Sequence, residues 1–241
     1  MIPKEHTSTA YFTFGRFQPP TIGHALLIRN VHERAIADNA DSYIFVSKSH
    51  NNMKTYLKSK KYKDMIKNNT FESTKDNENP LNIVQKVYYL EKMHPDVRII
   101  NTVDFGFTNI VDIVSHLGPD GPVGYKHLVF LVGGDRVSTF RRIFNDIPYV
   151  RIEQAGATRT LNNNNSSSLS SISGTKMRIA AVKGDFEKFK KGVLIGLMTE
   201  NDAFEMMNCV RIGLGYEPIM KAGNLRKTMR RRRQILYQNE P

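Results

Sequence analysis

The stretch FGRFQPPTIGH, Phe14 to His24, decides how the chain is read, because it sets glycine, proline and histidine between a strand-like run and a helix-like one. Ahead of it, Tyr11 to Phe14 is rich in β-forming aromatics and stops at Gly15, as a strand entering a loop does. Behind it, from about Thr21, residues Ala25, Leu26, Ile28, Val31 and Ala35 fall on one side of a helix. Inside the loop, Gly15 and Gly23 lack a Cβ and let the backbone approach phosphate oxygens closely. Phe17 and Pro19 stiffen the turn, since proline fixes its own φ. Thr21 and His24 stand three apart at the helix start, so both can point at one phosphate group. The helix N-terminus beside them adds unpaired amide donors and a dipole that favours an anion.

Working outward, short apolar runs recur at Ser42 to Val46, Val97 to Asn101, Leu128 to Val132 and Tyr149 to Ile152. They are nearly continuous rather than alternating, which is how strands buried on both faces of a parallel sheet read. Helices are expected between them at Leu81 to Lys92, Ile110 to His116, Arg136 to Phe144 and Thr175 to Val182. The fold expected is α/β, a Rossmann-like doubly wound parallel sheet of about five strands with a helical C-terminal extension.

Three segments stand apart from that core. Residues 51–79 are polar and lysine-rich with few apolar anchors and read as a surface insertion. Residues 161–171, LNNNNSSSLSS, cannot bury enough apolar area to offset their ordering entropy and read as a flexible loop. Thr199 to Arg211 has helical spacing, and beyond Pro218 the sequence becomes a basic tail. The division expected is a main domain at 1–192, a helical extension at 193–220 and the tail at 221–241.

The formal charge of +12 says that ligands are anionic, without separating nucleotides from nucleic acid. One cysteine, Cys209, excludes an internal disulfide and a thiolate cluster for zinc, and reads as a packed helix residue. No apolar stretch is long enough for a membrane helix, and the start lacks the apolar core of a secretory signal, so a cytoplasmic, membrane-free protein is expected. Self-association is left open.

Two further patterns carry chemistry. In ISGTKMR, Ile172 to Arg178, Ser173 is a good helix N-cap, and Gly174 and Thr175 follow it with backbone donors and a hydroxyl. Arg178 stands three beyond Thr175 on the same helical side, where its planar fork can clamp phosphate; taken alone, the heptapeptide reads equally as a capped helix with a surface arginine. In FLVGGDR, an apolar run ends in Gly133 and Gly134, which permit close approach by a ligand, and in Asp135, which can accept a ribose hydroxyl or cap the next helix.

The loop resembles the signature G-x-F-x-P-x-[HT]-x-G-H of the nucleotidylyltransferase superfamily, with Gly15, Phe17, Pro19, Thr21, Gly23 and His24 at every defined position. ISGTKMR is similar to that family's I-S-x-T-x-x-R motif, and VGGDR to its turn around base and ribose. With NPL at Asn79 to Leu81, AGATR at Ala155 to Arg159 and SGTKMRIAAVKGDFEKF, the likeness narrows to the small nucleotidyltransferase-like proteins of large bacteriophages and viruses, over about Tyr11 to Lys191. A viral chain would work in the host cytoplasm.

The resemblance implies that His24, Thr21 and Arg178 serve catalysis. It implies that Gly15, Arg16, Phe17, Gly23, Gly133, Asp135, Ser173, Gly174 and Thr175 hold the nucleotide. Lys48 and Arg136 are acceptor or phosphate candidates. It further implies a nucleoside triphosphate with Mg2+, and a small phosphorylated acceptor such as nicotinamide mononucleotide. No protein-held metal site is expected. ATP is favoured over CTP because the GRFQP form is similar to that of nicotinamide mononucleotide adenylyltransferases.

The alternative is an inactive or weakly active scaffold of the same fold that binds nucleic acid or a viral assembly through its basic insertion and tail. A G-x-x-x-x-G-K-[ST] loop, G-x-G-x-x-G, H-E-x-x-H and G-x-S-x-G are all missing from the sequence.

Overall fold

The aromatic run at the start extends as strand β1, Thr9–Gly15, and the loop after it delivers the chain into helix α1, Ile22–Ala37. The computed structural model describes residues 7–51, 53–68, 70–72, 74, 77–155 and 172–220. The low-complexity loop and the basic tail expected from the sequence lie outside the described residues. The other strands are β2 (Asp41–Val46), β3 (Ile99–Asn101), β4 (His127–Val132) and β5 (Val150–Gln154). All neighbours are parallel, and the order across the sheet is β3-β2-β1-β4-β5.

Alternation along each strand splits the core in two. Phe12, Tyr43, Phe45 and Phe130 face α5 (Ile110–Leu117), which offers Ile110, Ile113, Val114 and Leu117. Tyr11, Ile44, Val46, Val129 and Leu131 face the opposite way, against Ile28, Val31 and Ala35 of α1 and Leu90 of α4 (Ile83–Met93). Both faces are therefore covered, which is why the strands carry continuous apolar runs.

Helix boundaries follow local chemistry. Asn82 and Gln85 form a reciprocal capping box, so α4 begins at Ile83 rather than at Leu81. The expected helix at Arg136 is preceded by a tight turn at Gly134–Arg136, and α6 runs Val137–Ile143. Ser173 caps α7, Gly174–Lys183, by accepting from Lys176 N–H at 3.3 Å. A third apolar cluster joins Tyr89 and Met93 of α4 to Met177 and Ala180 of α7, Phe189 and Val193 of α8 (Phe186–Val193), and Met206 and Met207 of α9 (Glu200–Gly213).

The lysine-rich segment contains α2 (Met53–Lys58) and α3 (Lys60–Lys67), and it is tied down by a few specific contacts. Tyr56 and Met65 are buried, and Tyr62 Oη donates to the Gly215 carbonyl at 2.7 Å. Its two ends are clasped: Asn51 N–H donates to the Asn79 carbonyl, and Asn79 N–H to Asn51 Oδ1, each at 2.8 Å. Among the described residues no helix is long and apolar enough to cross a membrane.

Candidate active site

In this strand order the chain leaves β1 towards β2 on one side and β4 towards β5 on the other. A crevice opens outside the carboxyl ends of strands where such an order reverses, and ligands of open α/β sheets bind there. A cleft of about 500 Å³ occupies that position, lined from Thr13 to Gly15 at the end of β1, by Val132 at the end of β4 and Gly133 after it, and by Ala155 after β5. Its volume lies within the range of small-molecule sites.

The loop after β1 is built to hold one side of the cleft. Phe17 has φ 49°, the left-handed region, and its buried ring lies beneath Gly15, where a Cβ would come within 2.8 Å of it. Gln18 is buried and acts as a strut: Nε2 donates to the carbonyls of Ser49 (2.9 Å) and Leu81 (2.7 Å), while Oε1 accepts from Leu81 N–H at 2.9 Å.

Thr21, expected to point at phosphate together with His24, is 0% exposed and is not among the residues lining the cleft. Its backbone N–H donates to His24 Nδ1 at 3.1 Å, and its Oγ1 lies 2.9 Å from the same nitrogen. A nitrogen that accepts from a backbone N–H carries no proton, so the neutral His24 ring bears its hydrogen on Nε2. Thr21 thereby fixes the tautomer and orientation of His24, which lines the cleft edge-on to Phe17 at 5.2 Å between centroids.

The second motif faces the first. A Cβ on Gly23 would lie 2.3 Å from the Ile172 carbonyl oxygen, and one on Gly174 would lie 2.6 Å from the Gln18 carbonyl oxygen. The starts of α1 and α7 are therefore locked by two reciprocal close approaches. The space beside the missing Cβ is taken by the Phe17 ring at Gly15 and by the Ile172 carbonyl at Gly23, and both glycines line the cleft. Arg178 is 5% exposed rather than a surface residue, donating from one terminal nitrogen to the Gln18 carbonyl (2.6 Å) and from the other to Thr175 Oγ1 (3.0 Å). Burial lowers its pKa to about 10, with Glu78 opposing the shift and Arg16 adding to it, so it stays cationic at neutral pH.

Asp135 lines the cleft, and α6 has no side-chain cap at its start, so the helix-capping reading of Asp135 is not found. Arg136 Nε lies 3.6 Å from Asp135 Oδ2. Arg16, Phe17, Gly23, Gly133, Ser173, Gly174, Thr175 and Arg136 also line the cleft, whereas Lys48 is exposed and does not.

Residues that sequence reasoning passed over complete the site. Phe14 and Phe140, packed on one face of the sheet, and Leu26 and Leu27 of α1 bring apolar side chains to the cleft lining. Glu78 brings in a carboxylate that pairs with Arg16. Lys86 is wholly buried, and its Nζ donates to the carbonyls of Ser47 (2.5 Å) and Ser49 (3.0 Å). Only Lys86 left a signal, since it shares a helical face with Ile83, Leu90 and Met93. Among the described residues no three histidine, cysteine, aspartate or glutamate side chains are grouped to hold a metal.

No family model matches the chain, and no curated protein matches it. Among matching solved structures is a protein from Vibrio parahaemolyticus named as a candidate nicotinate-nucleotide adenylyltransferase. The two are 11% identical over 73% of this chain and 88% of that one, with a TM-score of 0.40.

Proposed function

We propose that the cleft binds a nucleoside triphosphate and transfers its nucleoside monophosphate to a phosphomonoester, releasing pyrophosphate. The observation that carries this reading is the convergence of two interlocked helix N-termini, α1 and α7, with His24 and Arg178 on one cleft at the switch point of the sheet. Each helix end offers unpaired N–H groups and partial positive charge to an anion. The acceptor's phosphate oxygen attacks the α-phosphorus, the bond to the bridging oxygen breaks, and pyrophosphate leaves with that electron pair. His24, holding its hydrogen on Nε2, donates to the α-phosphoryl oxygens as charge gathers on them. Arg178 and the N–H groups of Gly174 and Thr175 face the β- and γ-phosphates.

Asp135 accepts from the ribose, and the apolar lining that includes Phe140 takes the base. Among the described residues the cleft's carboxylates are Glu78 and Asp135, each beside an arginine, so a magnesium ion would be held mainly by the nucleotide's own phosphates. Magnesium arriving with the nucleotide neutralises phosphate charge. ATP as donor and nicotinamide mononucleotide as acceptor follow from the resemblance of the GRFQP loop.

The test incubates the full chain with each labelled nucleoside triphosphate and a panel of phosphomonoesters, reading pyrophosphate. His24→Ala is expected to cut turnover about 100- to 1,000-fold with the fold intact by circular dichroism. Absence of turnover with every pair, together with absence of nucleotide binding by calorimetry, would remove the reading.

A further inference from the structure

The cleft gathers positive charge from Arg16, Arg178 and two helix N-termini, yet the lysine-rich arm inserts a carboxylate among them. Glu78 pairs with Arg16 through NH1 and Oε1, and both side chains line the cleft. Glu78 also acts electrostatically on the buried Arg178.

The two partners differ in freedom. Glu78 is presented by a clamped backbone. On one side Asn77 is 0% exposed, accepts from Thr74 N–H at 2.7 Å and donates to the Glu72 carbonyl at 2.9 Å. On the other side Asn79 is held by two bonds to Asn51, itself bound to the Gly213 carbonyl at 3.2 Å. The Arg16 side chain is 48% exposed against 28% for Glu78, so Arg16 is the freer member to turn.

We propose that Glu78 is a built-in anion that occupies Arg16 in the empty cleft, yields it to an incoming polyphosphate and reclaims it as pyrophosphate departs. This rests on the triphosphate reading above. Glu78 is thus a positioning residue acting through Arg16, and its carboxylate opposes bound phosphate instead of helping to hold it. The consequence is unusual for a residue lining a substrate cleft: removing its charge tightens binding. The pair is partly exposed, so the effect is modest.

The experiment is calorimetry on the full chain with ATP, pyrophosphate and inorganic tripolyphosphate, using wild type, Glu78→Gln, Arg16→Gln and the double variant. Glu78→Gln is expected to bind each polyphosphate about 3- to 10-fold more tightly. It should also raise product inhibition by pyrophosphate. The gain should shrink in the Arg16→Gln background and narrow as salt rises. Equal or weaker binding by Glu78→Gln, or a gain of the same size without Arg16, overturns the proposal. If neither wild type nor Glu78→Gln binds any of the three, the triphosphate reading falls and this proposal with it; equal binding by both removes this proposal alone.

Discussion

Lys86 shows how one side chain can organise a loop at a cost that pH reveals. Its ammonium is enclosed between the carbonyls of Ser47 and Ser49, on the segment that Gln18 also grips through Ser49. Burial, reinforced by the charge of Arg16, lowers its pKa from 10.5 to about 7. Between those values the unfolded chain binds more protons than the folded one, so stability rises with pH across that window. The upper end is cut short by Tyr43, Tyr89 and Tyr125. Burial holds their phenols above the ordinary value of 10.0, so deprotonation favours the unfolded chain once pH exceeds it. Denaturant melts from pH 7 to 10 should therefore show stability climbing, by at most about 1.4 kcal/mol per pH unit from this group. Lys86→Gln should flatten the climb while still offering an amide donor. An identical slope in wild type and variant would show that Lys86 is not its source. The sequence showed a lysine on an apolar helical face; that two carbonyls await it depends on where the chain places Ser47 and Ser49.

At the scale of elements, the junction of α1 with α7 is the feature on which the cleft depends. Gly23 and Gly174 each meet a carbonyl oxygen of the opposite motif at a separation that no Cβ tolerates. Gly174→Ala should cost about 1–3 kcal/mol in urea midpoints and weaken ATP binding, because the start of α7 must shift away from Gln18. Gly106→Ala is the comparison: φ is +68° with nothing within 4 Å of the added Cβ, so about 1 kcal/mol is lost through backbone conformation alone and ATP binding is unchanged. Equal effects of the two changes on ATP binding would count against the junction. The glycines were legible as loop and cap residues because their spacing is local. Their partners were not, because the contacts join segments remote in sequence. The same reason explains Thr21: its place at the start of a helix was readable, but the burial that turns it onto His24 was not.

Over the whole molecule, the arm of residues 51–79 is joined to the C-terminal helices by contacts that hydropathy does not report. Asn51 and Asn79 clasp its ends, Asn51 reaches Gly213, and Tyr62 reaches Gly215. Asn51→Ala should lower stability by about 2–4 kcal/mol, since Asn79 N–H and the Gly213 carbonyl lose their partners. It should also disturb polyphosphate binding, because Glu78 adjoins the clasp. A thermal melt and a calorimetric titration check both, and a fully stable variant would show that other contacts dock the arm. By itself the sequence determined the class of fold, since strands covered on both faces must be apolar throughout and helices between them must be amphipathic. It also marked the β1–α1 loop and the Ser173 cap of α7, because glycine spacing and helix caps are local chemistry. Only the tertiary structure decided the strand order, the glycine-to-carbonyl junction, the burial of Lys86 and Thr21, and the entry of Glu78 into the cleft. Each of these is a contact between distant segments, fixed by packing and not by any run of neighbouring residues.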